Sequence, residues 1–481
     1  MTETFAIRIG AREAASRTWI DIVNPADRSE IVGRVGVATT DQVASATQAA
    51  AAAFGTWSAT PHIDRAACLR EAAQALEDRA PARATLLARE SGSLIEDARR
   101  GVDLIGRALT FYAGVGERFA YDEELPSPNG RVTVTHQPMG VAAVIVPWNA
   151  PTTLGFFAIA PALMAGNTVV LKPPTDAPLA LIEAIRTIEP YFPAGTLNVV
   201  TGPGASVGAA LVADPRVRRI NFTGSTAAGK AVLAASAATV KRVSLELGGN
   251  DPAIVLDDAD LDHAVPELVA GVFAHAGQIC YDVKRIYVQR RRLRDFVARF
   301  TAVADGLVVG NGLDDRTTMG PVVNETQLDR VVALVDAARR GGATVRTVGQ
   351  RLDPASWDRG TFLLPAVVSD VDRSLDIVTC EQFGPAIPIM PFDDEDEAIA
   401  LANDSQFGLS SSIWTVDEER ALRLARRVEA GTTFINVHRR GASGIDMPFG
   451  GVKESGLGRS HGVIAFEEQL ELHTISTRRP S

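Results

Sequence analysis

Five short apolar runs, at 141–146, 168–171, 197–200, 217–222 and 253–256, recur through the middle of the chain with helix-like segments between them. Strand-length runs that are apolar on both faces and alternate with helices point to a parallel sheet covered by crossover helices. A second block repeats the alternation at 285–288, 386–390, 411–416 and 432–436. The expected fold class is therefore α/β, with two Rossmann-like parallel-sheet domains and a cleft between them. Between the second and third runs, Asp176 is placed to cap a helix with Pro178 in its first turn. Leu181, Ile185 and Ile188 then share one helical face. The first 120 or so residues read as largely helical, with alanine-rich runs at 41–54 and 66–76.

Residues 119–137 read as an excursion carrying a hairpin at Asn129-Gly130. Val132 and Val134 alternate with Thr133 and Thr135, a pattern that suits an exposed strand in need of a partner. Together with a carboxy-terminal strand near 472–476, this points to a homodimer or homotetramer. Residues 138–171 contain no charged side chain. Pro147, Asn149, Pro151, Thr152, Thr153, Gly155, Pro161 and Asn167 nevertheless break the stretch into pieces shorter than the roughly 20 residues of a membrane span. A buried site flanked by core is the better reading. No basic segment followed by an apolar run opens the chain, so a soluble, cytoplasmic protein is expected. The formal charge of −10 argues against a nucleic-acid partner. Cys68, Cys280 and Cys380 are the only cysteines and stand far apart, which forms neither a disulfide framework nor a metal cluster.

Three stretches have the makings of reactive chemistry. In Gly277-Gln278-Ile279-Cys280 the cysteine follows a glycine and a polar glutamine, and Lys284 and Arg285 come close behind. Cationic neighbours favour the nucleophilic thiolate, so a lowered thiol pKa is expected. Glu246 lies between leucines and precedes Gly248-Gly249. A desolvated carboxylate there gains the higher pKa that suits a general base. Asn149 sits between Pro147 and Pro151, which fix the backbone around an amide able to face an oxyanion. Taken singly, each also has a plain structural reading: a core thiol, an exposed strand glutamate and a turn. Three further features suit a nucleotide. The stretch from Asn221 to Thr226 closes a strand and opens a helix whose free donors can bind pyrophosphate. Lys172 can reach ribose hydroxyls or a 2′-phosphate, and Glu381 and Phe383 can meet a second ribose and a nicotinamide ring. Gly202-Pro203-Gly204 lacks the spacing of a dinucleotide fingerprint and is given a mostly structural role.

In this order along the chain, the motifs closely resemble the aldehyde dehydrogenase superfamily. They are Pro-Trp-Asn at 147, Lys-Pro at 172, Phe-Thr-Gly-Ser at 222, Glu-Leu-Gly-Gly at 246, Gly-Gln-x-Cys at 277, Phe-Gly-Pro at 383 and Pro-Phe-Gly-Gly-x-Lys-x-Ser-Gly from Pro448 to Gly456. The resemblance implies a hydrolytic, NAD- or NADP-dependent enzyme that oxidises an aldehyde to its acid. Cys280 would be the nucleophile, Glu246 the base and Asn149 the oxyanion donor. Pro147, Trp148, Lys172, Thr175, Gly224, Ser225, Gly229, Leu247, Glu381 and Phe383 would line the cofactor. The resemblance also implies a cofactor domain of 1–118 and 138–247, a catalytic domain of 248–447, and a returning segment of 448–464. Oligomerisation strands would lie in 119–137 and 465–481. Two other readings use the same residues: a cofactor-independent thiol esterase, and a dehydrogenase that passes its acyl group to coenzyme A. Presence of Glu246 favours hydrolysis over the second.

Departures from the family pattern sharpen the expectations. Thr175 replaces a glutamate that often binds adenosine ribose, so NADP should be accepted, although Asp176 pulls the other way. Ala150 stands where an aromatic is common and would widen the tunnel. Cys380 and Ser460 each replace a frequent glutamate without an evident consequence. Phe157 and Phe273 are expected tunnel walls, and His438, Arg439 and Arg440 are expected at the tunnel mouth. The two arginines would anchor an acidic aldehyde.

Overall fold

The computed structural model describes residues 3–128, 130–439, 441–442 and 444–478. Two large sheets organise the chain. The first has eight strands, and five of them are parallel and central: Arg242–Glu246, Val217–Thr223, Val141–Ile145, Thr168–Lys172 and Leu197–Val199, in that spatial order. In sequence order, Val141–Ile145 comes first; the next two strands add on one side of it and the last two on the other. That reversal leaves a crevice at the carboxyl ends of the strands. Registration brings those ends level, because Lys172 pairs with Ile145, Ile145 with Phe222, and Phe222 with Leu245. The strand Gly456–Leu457 closes one edge against Leu245 and Glu246.

The second sheet has seven strands, with Asp251–Val255, Val283–Gln289, Ala386–Phe392, Ser410–Trp414 and Thr432–Ile435 in its parallel part. Its strands Asp251–Val255 and Ser410–Trp414 are buried at every residue, as expected for a sheet covered on both faces. Both expected parallel sheets are therefore present. The third unit is a three-stranded sheet of Asp122–Leu125, Gly130–Pro138 and Leu470–Arg478.

Three expectations need correction. The first 120 residues are largely helical from Thr40 on, as expected, but strands Glu3–Phe5, Ile7–Ile9, Arg12–Ala14, Trp19–Asn24 and Asp27–Gly36 come before the first helix, Thr40–Ala59. The alternation Ile20-Asp21-Ile22 had carried that signal. Asp176 does not cap the helix Leu179–Ile188. The carboxylate of Glu90, from another helix, accepts from the Leu179 and Ala180 amides at 2.6 and 2.8 Å instead, so a tertiary partner displaced the local one. The strand expected to be an edge, Gly130–Pro138, is the central one, paired along its length with Leu470–Arg478. Asn129 lies outside the described residues. No helix among them is long and apolar enough to cross a membrane.

Candidate active site

A cavity of about 800 Å³ opens between the two large sheets, and Asn149, Glu246 and Cys280 all line it. Each arrives from a different element. Asn149 follows the strand Val141–Ile145 and precedes the helix Pro151–Met164, with Pro151 at its first position. That helix turns Ala150, Thr153, Leu154, Phe157 and Ala158 to the cavity, the spacing of one helical face. Asp97, Arg100, Leu104 and Arg107 do the same from the helix Ile95–Arg118.

Cys280 sits on a loop whose backbone is unusual. His275, Ala276 and Gly277 have φ of 48°, 57° and 73° in succession. Non-glycine residues in this left-handed region cost of order 1–3 kcal/mol each and are held there by their surroundings. A Cβ on Gly277 would also stand 2.5 Å from the Gly384 carbonyl, so glycine is required for space as well as conformation. Gln278 pins the loop, its Oε1 accepting from Val323 N at 2.9 Å and its Nε2 donating to His275 O at 2.8 Å. The Asn149 amide donates to Gln278 O at 2.9 Å, which brings it within reach of the nucleophile's own peptide.

The expectation of a lowered thiol pKa is not met. Burial pushes the Cys280 thiol well up, Lys284 opposes this, and Glu381, Glu246 and Asp251 add to it. Lys284 is itself buried, and its Nζ donates to the Ile279, Cys280 and Asp282 carbonyls at 2.7, 2.9 and 3.1 Å. Arg285 lies elsewhere, donating to Asn250 O at 2.8 Å and Ala402 O at 3.0 Å. Burial likewise raises the Glu246 carboxyl well above its ordinary value, with Arg459 and Ser460 opposing. Its Oε2 has no hydrogen-bond partner among the described residues. Burial thus makes both the thiol and the carboxyl weaker acids than they are in water.

The nucleotide candidates gather along the carboxyl ends of the first sheet. Ser225 Oγ caps the helix Thr226–Ser236 by accepting from Ala228 N at 3.3 Å. A Cβ on Gly229 would strike Leu247, so this glycine lets the helix close onto the strand end. Lys172 is 4% exposed, and its Nζ has Pro173 O at 2.8 Å. Burial pushes its pKa down to about 8, with Asp176 opposing. Thr175 is half-buried beside them. From the second sheet's side, Glu381 Oε1 accepts from Gly249 N at 3.1 Å, and a Cβ on Gly248 would stand 2.6 Å from Oε2. The Phe383 ring meets Trp148 edge-on, with centroids 5.4 Å apart. Helix amides, a buried ammonium and a carboxylate over a diglycine suit the phosphates and riboses of NAD or NADP.

The substrate candidates divide. Phe157 lines the cavity. Phe273 does not: it is buried in the core of the second sheet, 6.1 Å from Phe300. His438 is fully buried behind the Cys280 loop, with Nε2 2.8 Å from Tyr281 O and Nδ1 2.9 Å from Ser412 Oγ. Its neighbours therefore use both ring nitrogens. Arg439 lines the cavity mouth, yet Glu267 pairs with it at 2.8 Å, so it is no free anchor for an anion. Arg440 lies outside the described residues. Tyr281, Phe449, Arg459, Ser460 and His461 also line the cavity. Sequence reading missed these as wall residues, because two of the three segments that carry them are loops far from Cys280 in sequence. The one local clue was Tyr281, the residue after the cysteine.

The model of the Aldehyde dehydrogenase family matches residues 11–475. A betaine aldehyde dehydrogenase of Cereibacter sphaeroides is 36% identical over 462 residues, covering 95% of this chain and 93% of its own length. An aldehyde dehydrogenase of Emericella nidulans is also 36% identical, covering 95% and 91%. A crystal structure of betaine aldehyde dehydrogenase from Staphylococcus aureus in complex with NAD+ superposes with a TM-score of 0.95 at 32% identity, covering 99% of this chain and 95% of that one. With a cavity between two parallel sheets and a match along nearly its whole length, this chain belongs to the aldehyde dehydrogenase family.

Proposed function

We propose that Cys280, Glu246 and Asn149 together oxidise an aldehyde to its carboxylic acid, with NAD or NADP as the cofactor. The observation that carries this reading is their convergence on one cavity, with the Asn149 amide bonded into the nucleophile's loop. Cys280 Sγ bonds to the aldehyde carbon while its proton passes to Glu246, directly or through one water. The carbonyl π bond opens onto oxygen, and Asn149 Nδ2 and the Cys280 amide hold the resulting oxyanion. When bound, the cofactor supplies the acceptor for the hydride that leaves this carbon. Glu246 releases the thiol's proton to solvent, and the thioester left on Cys280 is then cleaved by water, which gives a proton to Glu246 as it attacks. The C–S bond then breaks and the sulfur regains its proton.

The raised pKa of Glu246 makes its carboxylate a stronger base than an ordinary one, which supports proton transfer to it from the thiol. The orphaned Glu246 Oε2 supports a water partner and hence hydrolysis rather than transfer to coenzyme A. A Glu246→Gln variant mixed with aldehyde and cofactor should give a slowed burst of reduced cofactor, because the thiol's proton has lost its acceptor. Steady acid release should then be slower by about 10²–10⁴-fold, the usual range for a lost general base. Wild-type acid release would overturn the assignment.

Thr175 adds no charge beside Lys172, which supports acceptance of NADP as well as NAD. The mouth arginines carry carboxylate partners: Arg100 with Asp97 at 2.5 Å, Arg107 with Asp103 at 3.6 Å and Arg439 with Glu267. These pairings favour an uncharged aldehyde over an acidic one. Leu472 and Ile475 are 65% and 46% exposed on the strand Leu470–Arg478, which supports a homodimer or homotetramer joined there.

A further inference from the structure

His461 is a histidine in a place that costs free energy to keep. Its backbone has φ 63° and ψ 167°, a region that is essentially reserved for glycine. Phe449 and Ser460 exchange two backbone hydrogen bonds of 2.7 Å just before it, and Gly462 N donates to Ile445 O at 2.8 Å just after. Its neighbours therefore hold the residue in that conformation. The side chain is 8% exposed and lines the cavity, packed edge-on to Phe157 at 4.3 Å and stacked on Phe449 at 5.4 Å. Tyr281, the residue after Cys280, packs on the same Phe449 at 5.5 Å. Aromatic rings thus flank the imidazole on the cavity wall, and Nδ1 is buried with no hydrogen-bond partner among the described residues. A buried polar group left in this state costs its full desolvation. Phenylalanine would fill the space without that cost, and glycine would relieve the backbone.

We propose that His461 is a substrate-binding residue whose imidazole hydrogen-bonds a ring hydroxyl of an aromatic aldehyde. Phe157, Phe449 and Tyr281 supply flat apolar walls for such a ring. A hydroxyl both donates and accepts, and so does a neutral imidazole. Burial pushes the His461 pKa down to about 4, which keeps it neutral at pH 7. This inference deepens the aldehyde-oxidising reading above and rests on it.

The test compares kcat/KM for benzaldehyde, 3-hydroxybenzaldehyde and 4-hydroxybenzaldehyde in the wild type, His461→Phe and His461→Gly. The wild type should prefer at least one hydroxylated substrate by about tenfold, the range of one uncharged hydrogen bond. Both variants should lose that preference through KM, while His461→Gly melts at a higher temperature than the wild type. A preference that persists in both variants, or a wild type without one, overturns the inference and leaves the broader reading standing. Failure to oxidise any aldehyde with either cofactor overturns both.

Discussion

The cofactor side and the substrate side of the site are built in opposite ways. On the cofactor side, ladder registration sets the geometry: residues 145, 172, 222 and 245 stand in one row, and each run of chain after that row leads into the crevice. On the substrate side, the cavity draws on two helices, the Cys280 loop and the returning segment, with a wall made of ring contacts and ion pairs. Backbone hydrogen bonds leave little choice of position. Side-chain packing between distant segments leaves a great deal, so the second region can change its preference without disturbing the first.

Four experiments sharpen or break this contrast. Cys280→Ala removes the sulfur on which both halves converge and should abolish oxidation while leaving the mixed cofactor's binding, read by fluorescence titration, intact. Residual turnover at wild-type rate would end the mechanism. Asn149→Ala should lower kcat by about 10²–10³-fold, the usual effect of losing one oxyanion donor. A change confined to KM would instead make Asn149 a packing residue. Thr175→Glu should affect only the cofactor side. It should cut kcat/KM with NADP by about tenfold or more through repulsion of the 2′-phosphate and leave the wild-type ranking of aldehydes unchanged. An altered ranking would show that the two sides are coupled.

The smallest expected effect concerns stability. Burial pushes His438 down to about 3 and His461 down to about 4. Below the ordinary value of 6.5 the unfolded chain takes up protons that the folded chain refuses. Their contribution to stability is therefore full above about pH 6.5 and is lost as pH falls from there toward 4 and then 3. Thermal melts of His438→Gln and His461→Phe should each show a shallower loss between pH 6.5 and 4 than wild type. A parallel loss in all three would assign acid sensitivity to other groups.

The two regions were also unequally legible in the sequence. Lys172, Glu246 and Ser225 announce themselves because strand ends in a parallel sheet meet at one edge, and a strand is recognisable from its own residues. The Cys280 loop was legible for a related reason, since Gly277 answers a local need of the backbone. His438 and Phe273 misled because position near a motif says nothing about which way a side chain faces. Both turned inward, His438 onto Ser412 and Tyr281, and Phe273 onto Phe300. Glu90 taking the cap expected of Asp176 is the same lesson in a helix.

Periodicity and motif order determined the fold class, the three converging side chains and the nucleotide crevice, all of which follow from near-neighbour hydrogen bonding along the chain. Tertiary structure alone decided the acidity of Cys280, the pairing of Arg439 with Glu267 and the isolated imidazole of His461. Those depend on burial and on residues from separate segments of the chain, and desolvation has no local signature.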